Sequence, residues 1–288
     1  LMFVIALVAM ERLARRKRKF HHTGSKYSDL PTMKLHGLKA FSATLICVLP
    51  IVLGFAIPAS VLVDYSLDFY HVTLNRNFLL YTTNSLMLAI TSATLAVIIG
   101  LFLAYAIRLQ GSPMLIAATR VASIGYAVPG AVLAIGVILP LSIFDNSIDG
   151  FMRETFNVST GLLLSGTVIA VTIGYLVRFL ALSFGTLEAS LNKITVNMDG
   201  ASRTLGHGPA STLKLIHLPL MRSSILTAGI LVFVDVMKEL PMTIILRPFN
   251  FQTLATFVHQ YASDEQLGDA ALAALTIVGA GIIPVILL

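Results

Sequence analysis

Asp235, Lys238 and Glu239 stand three and four residues apart inside the apolar run ILVFVDVMKELPMTIIL, residues 230–246. On a helix that spacing places all three on one face, with Lys238 able to neutralise one carboxylate and one acid left over. Each charge would cost about 2.5–3.5 kcal/mol at the centre of a bilayer, so such groups face protein or water rather than lipid. Two roles fit equally. The cluster either locks helices together as an internal ion pair, or lines a pathway or gate in which surplus acid favours a cation. Pro241 follows closely and loosens the helix by removing a backbone donor. Asp235, Lys238, Glu239 and Pro241 are therefore the pathway or gate candidates.

Other chemistries find less support. Tyr65, Asp68, Tyr70 and His71 form one polar group and His259, Tyr261, Asp264 and Glu265 another. Neither has a recognised metal spacing, so no metal site is expected. Cys47 is the one cysteine, which excludes an internal disulfide and any cysteine-cluster site. The chain has no G-x-x-x-x-G-K-[ST] loop, no H-E-x-x-H and no G-x-S-x-G. It is expected to be no enzyme and to bind no cofactor of its own.

The elements that position these residues follow from composition. Of 288 residues, 56% are hydrophobic and 12% charged, and the mean hydropathy is +0.86. A soluble surface needs about twice that share of charge. Apolar runs long enough to cross a bilayer lie at 39–63, 80–107, 116–144, 161–184, 224–246 and 270–288. The expected fold is an all-α polytopic membrane protein of about six helices. Residues 1–10, LMFVIALVAM, read as the end of a preceding, truncated transmembrane helix, because the basic run follows them instead of leading as in a signal peptide.

Alternating the spans puts 11–38, 108–115 and 185–223 on one side and 64–79, 145–160 and 247–269 on the other. The first set, with Lys39 at its margin, carries 14 Lys and Arg and the second three, which assigns the first to the cytoplasm. Nine of the 14 fall between Arg12 and Lys39, around ARRKRK; without interleaved aromatics this is a membrane-flanking linker and not a nucleic-acid site. Asp64, Asp68, Asp145, Asp149, Glu154, Asp264, Glu265 and Asp269 fall in the outer loops, which are too short for a folded domain. Arg178 lies toward the inner end of its span, where it can snorkel. Gly125-Tyr126-Ala127-Val128-Pro129-Gly130 interrupts another span, either as a packing kink or as a hinge.

The inner loop 185–223 is the long polar interruption. Leu187, Leu191, Ile194, Met198 and Leu205 recur with helical spacing over 187–205. Gly206 can take the left-handed conformation that ends a helix, and Pro209 suits the first turn of the next. Pro219 is expected to stop that second helix before the following span. The result is two helices and a tight corner carrying an apolar face into water, which calls for a partner.

Residues 200–219, GASRTLGHGPASTLKLIHLP, resemble the inner-loop signature of binding-protein-dependent ABC importer permeases: E-A-A, three residues, G, nine residues, I-x-L-P. Gly200-Ala201-Ser202 is followed by Arg203-Thr204-Leu205, Gly206 and, nine residues on, Ile216-His217-Leu218-Pro219. The family's Glu is Gly200 and its second Ala is Ser202; Asp199, one position upstream, is the substitute carboxylate. NSLMLAITSATLAVIIGLFLAYAIR (84–108), GYAVPG (125–130), YLVRFLAL (175–182) and FVDVMKELPMTIILRPFNFQTLATFVHQYASDEQLGDAALAAL (233–275) are similar to the iron(III) branch of that family.

The resemblance implies a type I ABC importer transmembrane domain at 39–288, forming the C-terminal half of a fused two-half permease, with 1–10 ending the first half and 11–38 as a basic cytoplasmic linker. It implies residence in the bacterial inner membrane. The implied partners are a cytoplasmic ATPase dimer that holds the ATP, a periplasmic binding protein, and the first half or a second permease chain. Asp199, Gly200, Ala201, Ser202, Arg203, Gly206, Ile216, Leu218 and Pro219 would then form the ATPase-coupling loop. Ferric iron is the implied cargo; related permeases carry thiamine, phosphonates or polyamines. A proton-coupled secondary transporter, with Asp235 and Glu239 as relay, is the rival reading, and it leaves the 200–219 pattern without a purpose.

Overall fold

The computed structural model describes residues 34–287. The expected helix end at 1–10 and residues 11–33 of the linker lie outside them. The chain divides into two compact units, Leu1–Val52 and Leu53–Leu288. The described part of the first is a single helix, α1 (Leu38–Ile51), with no buried residue.

The second unit contains α2 (Ile57–Thr73), α3 (Arg76–Gln110), α4 (Pro113–Ala122), α5 (Gly130–Phe156), α6 (Val168–Leu191), α7 (Val196–Thr204), α8 (Pro209–Thr212), α9 (Leu218–Met237), α10 (Pro241–Leu246), α11 (Leu254–Ser263) and α12 (Leu267–Leu287). No strand occurs among the described residues. Six helical stretches there are long and apolar enough to cross a membrane: Leu38–Thr73, Arg76–Gln110, Gly130–Phe156, Val168–Leu191, Pro209–Met237 and Leu267–Ile286. The chain is a multi-pass all-α membrane protein.

α3, α6 and α9 pack together at the centre. Ala89, Ala93, Ala96, Gly100 and Ala104 are buried on α3 at three- and four-residue spacing, the small-residue stripe that lets membrane helices approach closely. A methyl group on Gly100 would sit 2.9 Å from Ser183 Oγ and 3.1 Å from the Phe184 nitrogen. Ser183 Oγ donates to the Ala96 carbonyl at 2.8 Å, a polar tie in the same contact. Tyr175, Phe179, Val232, Val236, Met242 and Leu254 fill one layer of the core. Phe184, Leu187, Leu191 and Met221 fill a second.

Several boundaries depart from the expected spans. The run 116–144 is not one helix: α4 ends at Ala122, Ser123–Ala127 form a tight 3-10 turn, and α5 starts only at Gly130. Val128 is extended, as a residue before proline must be. α5 then continues to Phe156, so Asp145 and Asp149 are helical rather than in an outer loop. Asp145 is fully buried and accepts from the N–H groups of Leu164 and Ser165 and from the Ser165 hydroxyl. Asp149 likewise accepts from the N–H groups of Thr160 and Gly161. The two carboxylates fold the 157–165 segment back along α5, satisfying backbone donors that an apolar helix cannot. The expected outer loops 64–79 and 247–269 also carry helix, in α2, the start of α3, and α11.

Candidate functional site

The loop expected at 185–223 is two helices set between α6 and α9, but its first helix is shorter than the spacing suggested. α6 ends at Leu191 and α7 begins after Thr195, so 187–205 is broken rather than continuous. The corner is as expected: Gly206 has φ 83° and its N–H donates to the Arg203 carbonyl at 3.0 Å. Pro209 opens α8. Pro219 does not stop the second helix, which runs from Pro209 to Met237. The chain widens instead into a π turn at Leu213–His217, with the Leu218 N–H bonding back to the Leu213 carbonyl. That turn makes room for a ring that would otherwise meet the carbonyl four residues before it.

The loop's residues divide into a buried and an exposed set. Ser202 is buried and its hydroxyl pairs with that of Thr212 at 2.7 Å, tying α7 to α8. Gly200, Ala201, Arg203 and Gly206 are exposed, and a methyl group on Gly200 would meet nothing within 4 Å. Val196 and Leu205, both 77% exposed, extend an apolar surface along α7. Ile216 and Leu218 are half-buried at the root of α9, and Pro219 is exposed.

Asp199 faces inward. Arg108 Nε donates to Asp199 Oδ2 at 2.8 Å, and the other nitrogens of Arg108 reach the carbonyls of Leu191 at 2.6 Å and Ile194 at 3.0 Å. The guanidinium thus satisfies carbonyls that the end of α6 leaves open. Asp199 Oδ1 lies 2.8 Å from Nε2 of His217, which is almost fully buried. A carboxylate only accepts, so Nε2 is the donor; Nδ1 is buried with no partner among the described residues. Burial pushes the Asp199 carboxyl up, but the bonds from Arg108 and His217 outweigh it and hold it below the ordinary carboxylate range. Tyr105 adds a further tie, its hydroxyl donating to the Pro209 carbonyl at 2.6 Å. Asp199 therefore does not stand free as a substitute for the missing Glu: both of its oxygens are engaged within the chain.

The intramembrane charges also rearrange. The expected span 224–246 breaks after Met237, and α10 restarts at Pro241. The three charges consequently do not share one helical face. Lys238 Nζ pairs with Asp235 Oδ1 at 2.9 Å, and Tyr126 donates to Asp235 Oδ2 at 3.3 Å. Glu239 turns the other way, to Arg178 Nη1 at 3.3 Å, and also accepts the Met242 N–H. Arg178 does not snorkel to a helix end; it sits about 15 Å from the start of α6 and about 20 Å from its finish, at 1.5 Å per residue. With Arg178 included the cluster is two acids and two bases, so no surplus acid remains. Glu239 is buried, whereas the Lys238 side chain is 63% exposed.

Gly125 and Gly130 explain why the second break lies opposite. A methyl group on Gly125 would overlap the Val177 carbonyl oxygen, and one on Gly130 would overlap Arg178 Nη1 and lie 2.7 Å from Glu239 Oε1. The GYAVPG break thus brings backbone against α6 beside the ion pair.

Tyr105, Arg108, Arg178 and His217 are the residues that sequence reasoning missed as site members. Arg108 and Asp199 are 91 positions apart, and Arg178 and Glu239 are 61 apart. No local periodicity links them. His217 lay within the matched stretch, at its variable position.

No family model matches the chain. Over 211 residues it is 28% identical to the Fe(3+)-transport system permease protein FbpB 2 of Haemophilus influenzae, covering 73% of this chain and 38% of that protein. It is 24% identical over 273 residues to the putative ferric transport system permease protein FbpB 1 of the same organism, covering 86% and 42%. Against the trehalose transport system permease protein SugB of Mycobacterium tuberculosis it is 24% identical over 200 residues, covering 67% and 66%. The chain thus spans about two fifths of the length of the two iron permeases.

Among solved structures, a bacterial alginate ABC transporter in complex with an alginate pentasaccharide-bound periplasmic protein aligns with a TM-score of 0.66 at 11% identity, covering 86% of this chain and 91% of that one. A second structure, of a bacterial ABC transporter involved in alginate import, aligns at 0.63 and 12% identity, covering 85% and 94%. The fold is that of an ABC importer transmembrane permease, and the relatives in sequence are transport permeases.

Proposed function

We propose that this chain is the permease part of an ATP-driven importer that takes ferric iron from a periplasmic binding protein and passes it through the bacterial inner membrane. The observation that carries the reading is the loop at 196–219. It keeps the spacing of the importer signature and turns Val196, Gly200, Ala201 and Leu205 outward on a helix held rigidly from behind. An exposed apolar helix on a polar loop fits a cleft on a cytoplasmic ATPase dimer, with the exposed Arg203 as the polar contact that Asp199 is not free to make. ATP hydrolysis then belongs to that partner, and this chain binds no nucleotide. The loop lies on the cytoplasmic side by its share of Lys and Arg.

Iron is proposed from the two Haemophilus relatives, which are named for ferric transport. The charge-balanced cluster around Glu239 favours neither a cation nor a sugar, so the trehalose relative and the alginate-transporter structure make a saccharide the alternative cargo. Tyr126, Asp235 and Lys238 form the side of that cluster most suited to a pathway, because an exposed lysine at mid-span depth belongs against water or protein. Pro241 restarts the chain after the break beside them. The linker at 11–38 and a preceding half-permease complete the proposed assembly.

The test is uptake by the full-length protein reconstituted in vesicles with its binding protein and ATPase. ATP-dependent uptake of ferric iron, insensitive to collapse of the proton gradient, is expected. Uptake that follows the proton gradient and ignores ATP would refute the importer reading. ATP-driven uptake of thiamine or trehalose without iron would refute the cargo alone.

A further inference from the structure

The inner end of α3 holds the loop by directional polar contacts rather than by apolar packing alone. Arg108 binds Leu191, Ile194 and Asp199, and Tyr105 binds Pro209. Asp199 passes the grip on to His217 at the root of α9. Four elements are thereby fastened to two adjacent turns of one helix: the end of α6, α7 and α8 directly, and the 213–217 turn through Asp199. The opposite part of α3 is fastened as well: Asn84 Nδ2 donates to the Gln252 carbonyl at 2.9 Å, and Ser85 Oγ accepts the Leu254 N–H at 2.8 Å. α3 is one unbroken helix of 35 residues, and the stretch between these grips, from Ser85 to Tyr105, is about 30 Å long at 1.5 Å per residue. The neighbouring chain paths, α4 to α5 and α9 to α10, are both interrupted.

Apolar contacts permit sliding, whereas hydrogen bonds weaken steeply with distance and angle, so this arrangement transmits both push and pull. We propose that Arg108, Asp199 and His217 are positioning residues forming a rigid joint, through which α3 carries displacement of the loop to the 252–254 segment. Coupling then travels along a physical element gripped at both ends. The proposal rests on the importer reading and adds to it the residues that convert docking into movement. It also gives Asp199 a role different from a contact with the partner.

The experiment uses the same full-length reconstituted system, with ferric-loaded binding protein as probe and the variants Asp199→Asn and Arg108→Lys. Both leave the exposed face of α7 intact. Binding of the ATPase to the vesicles should be retained, while iron taken up per ATP hydrolysed falls about tenfold or more, the scale expected for lost charged hydrogen bonds. Unchanged iron per ATP in either variant would overturn the joint. So would loss of ATPase binding in step with uptake, since the residues would then merely shape the docking surface. A second measurement needs neither variant. With Cys47 and any further cysteine of the full-length protein replaced by serine, spin labels at Leu205 and Leu109, both on exposed positions, should keep one separation with and without ATP. A separation that changes with ATP would overturn the joint directly. Wild-type uptake that ignores ATP is a distinct result and refutes the importer reading on which the joint depends.

Discussion

Replacing Gly125 with alanine should separate a packing break from a hinge at GYAVPG. The added methyl would overlap the Val177 carbonyl oxygen, lie 3.0 Å from the Val177 carbonyl carbon, and lie 3.5 Å from Arg178 Cα. All three obstacles are backbone, so no side chain can rotate away, and the 123–127 turn must lift off α6. Overpacking of this kind costs about 1–3 kcal/mol, and the upper end applies where the obstacle cannot yield. For a chain of this size the midpoint of thermal unfolding should fall by about 3–10 °C. Gly136→Ala in α5 is the matched control, because a methyl group there meets nothing within 4 Å. The chain has no tryptophan, so the assay is the fraction of a fluorescently tagged protein that stays monodisperse in detergent after heating. Gly125→Ala melting together with Gly136→Ala would refute the close contact. A Gly125→Ala protein of normal stability with impaired transport would favour a hinge instead.

Three further outcomes follow from the same geometry. Glu239→Gln leaves Arg178 without its charge partner in the core and should destabilise by about 3–5 kcal/mol, whereas the double change Arg178→Leu with Glu239→Leu should recover most of that loss; equal losses in the single and double variants, in the heating assay, would sink the pairing. Because the folded Asp199 carboxyl titrates below its ordinary value of 3.8, the stability it contributes is fully present above that value and is lost as pH falls through the lower folded one. The protection of the 192–217 loop against hydrogen exchange, relative to the intrinsic rate at each pH, should therefore be flat from about pH 8 to 5 and fall only below about pH 4, with the acid step absent in Asp199→Asn. Gly206→Ala meets no neighbour and carries only the strain of a left-handed residue, about 1–2 kcal/mol, so it should fold and transport. Gly206→Pro cannot adopt φ 83° and loses the N–H bonded to Arg203, so uptake should disappear while the protein still inserts. Normal uptake by the proline variant would count against the corner.

The sequence by itself determined the membrane class, the number of spans among the described residues, and the corner at Gly206. These properties are local: a run of apolar side chains long enough for a bilayer, or one glycine before a proline, carries its meaning within a few residues. The signature spacing at 200–219 was legible for the same reason. Breaks within the spans were less so. A proline shows that the helix must respond but not how: Pro219 is absorbed by a π turn, whereas Pro241 follows a true interruption.

What only the tertiary structure decided is which charges meet. Asp199 looked like a carboxylate available to a partner, and it is held by Arg108 and His217. Glu239 looked like a neighbour of Lys238, and it pairs with Arg178 across two helices. Spacing along the chain fixes the face of an intact helix; once the helix breaks at 238–240, that periodicity no longer governs where a side chain points. A charge in an apolar surrounding then takes whichever counter-charge the packing of α3, α6 and α9 brings within reach, because leaving it unpaired costs more than any local preference.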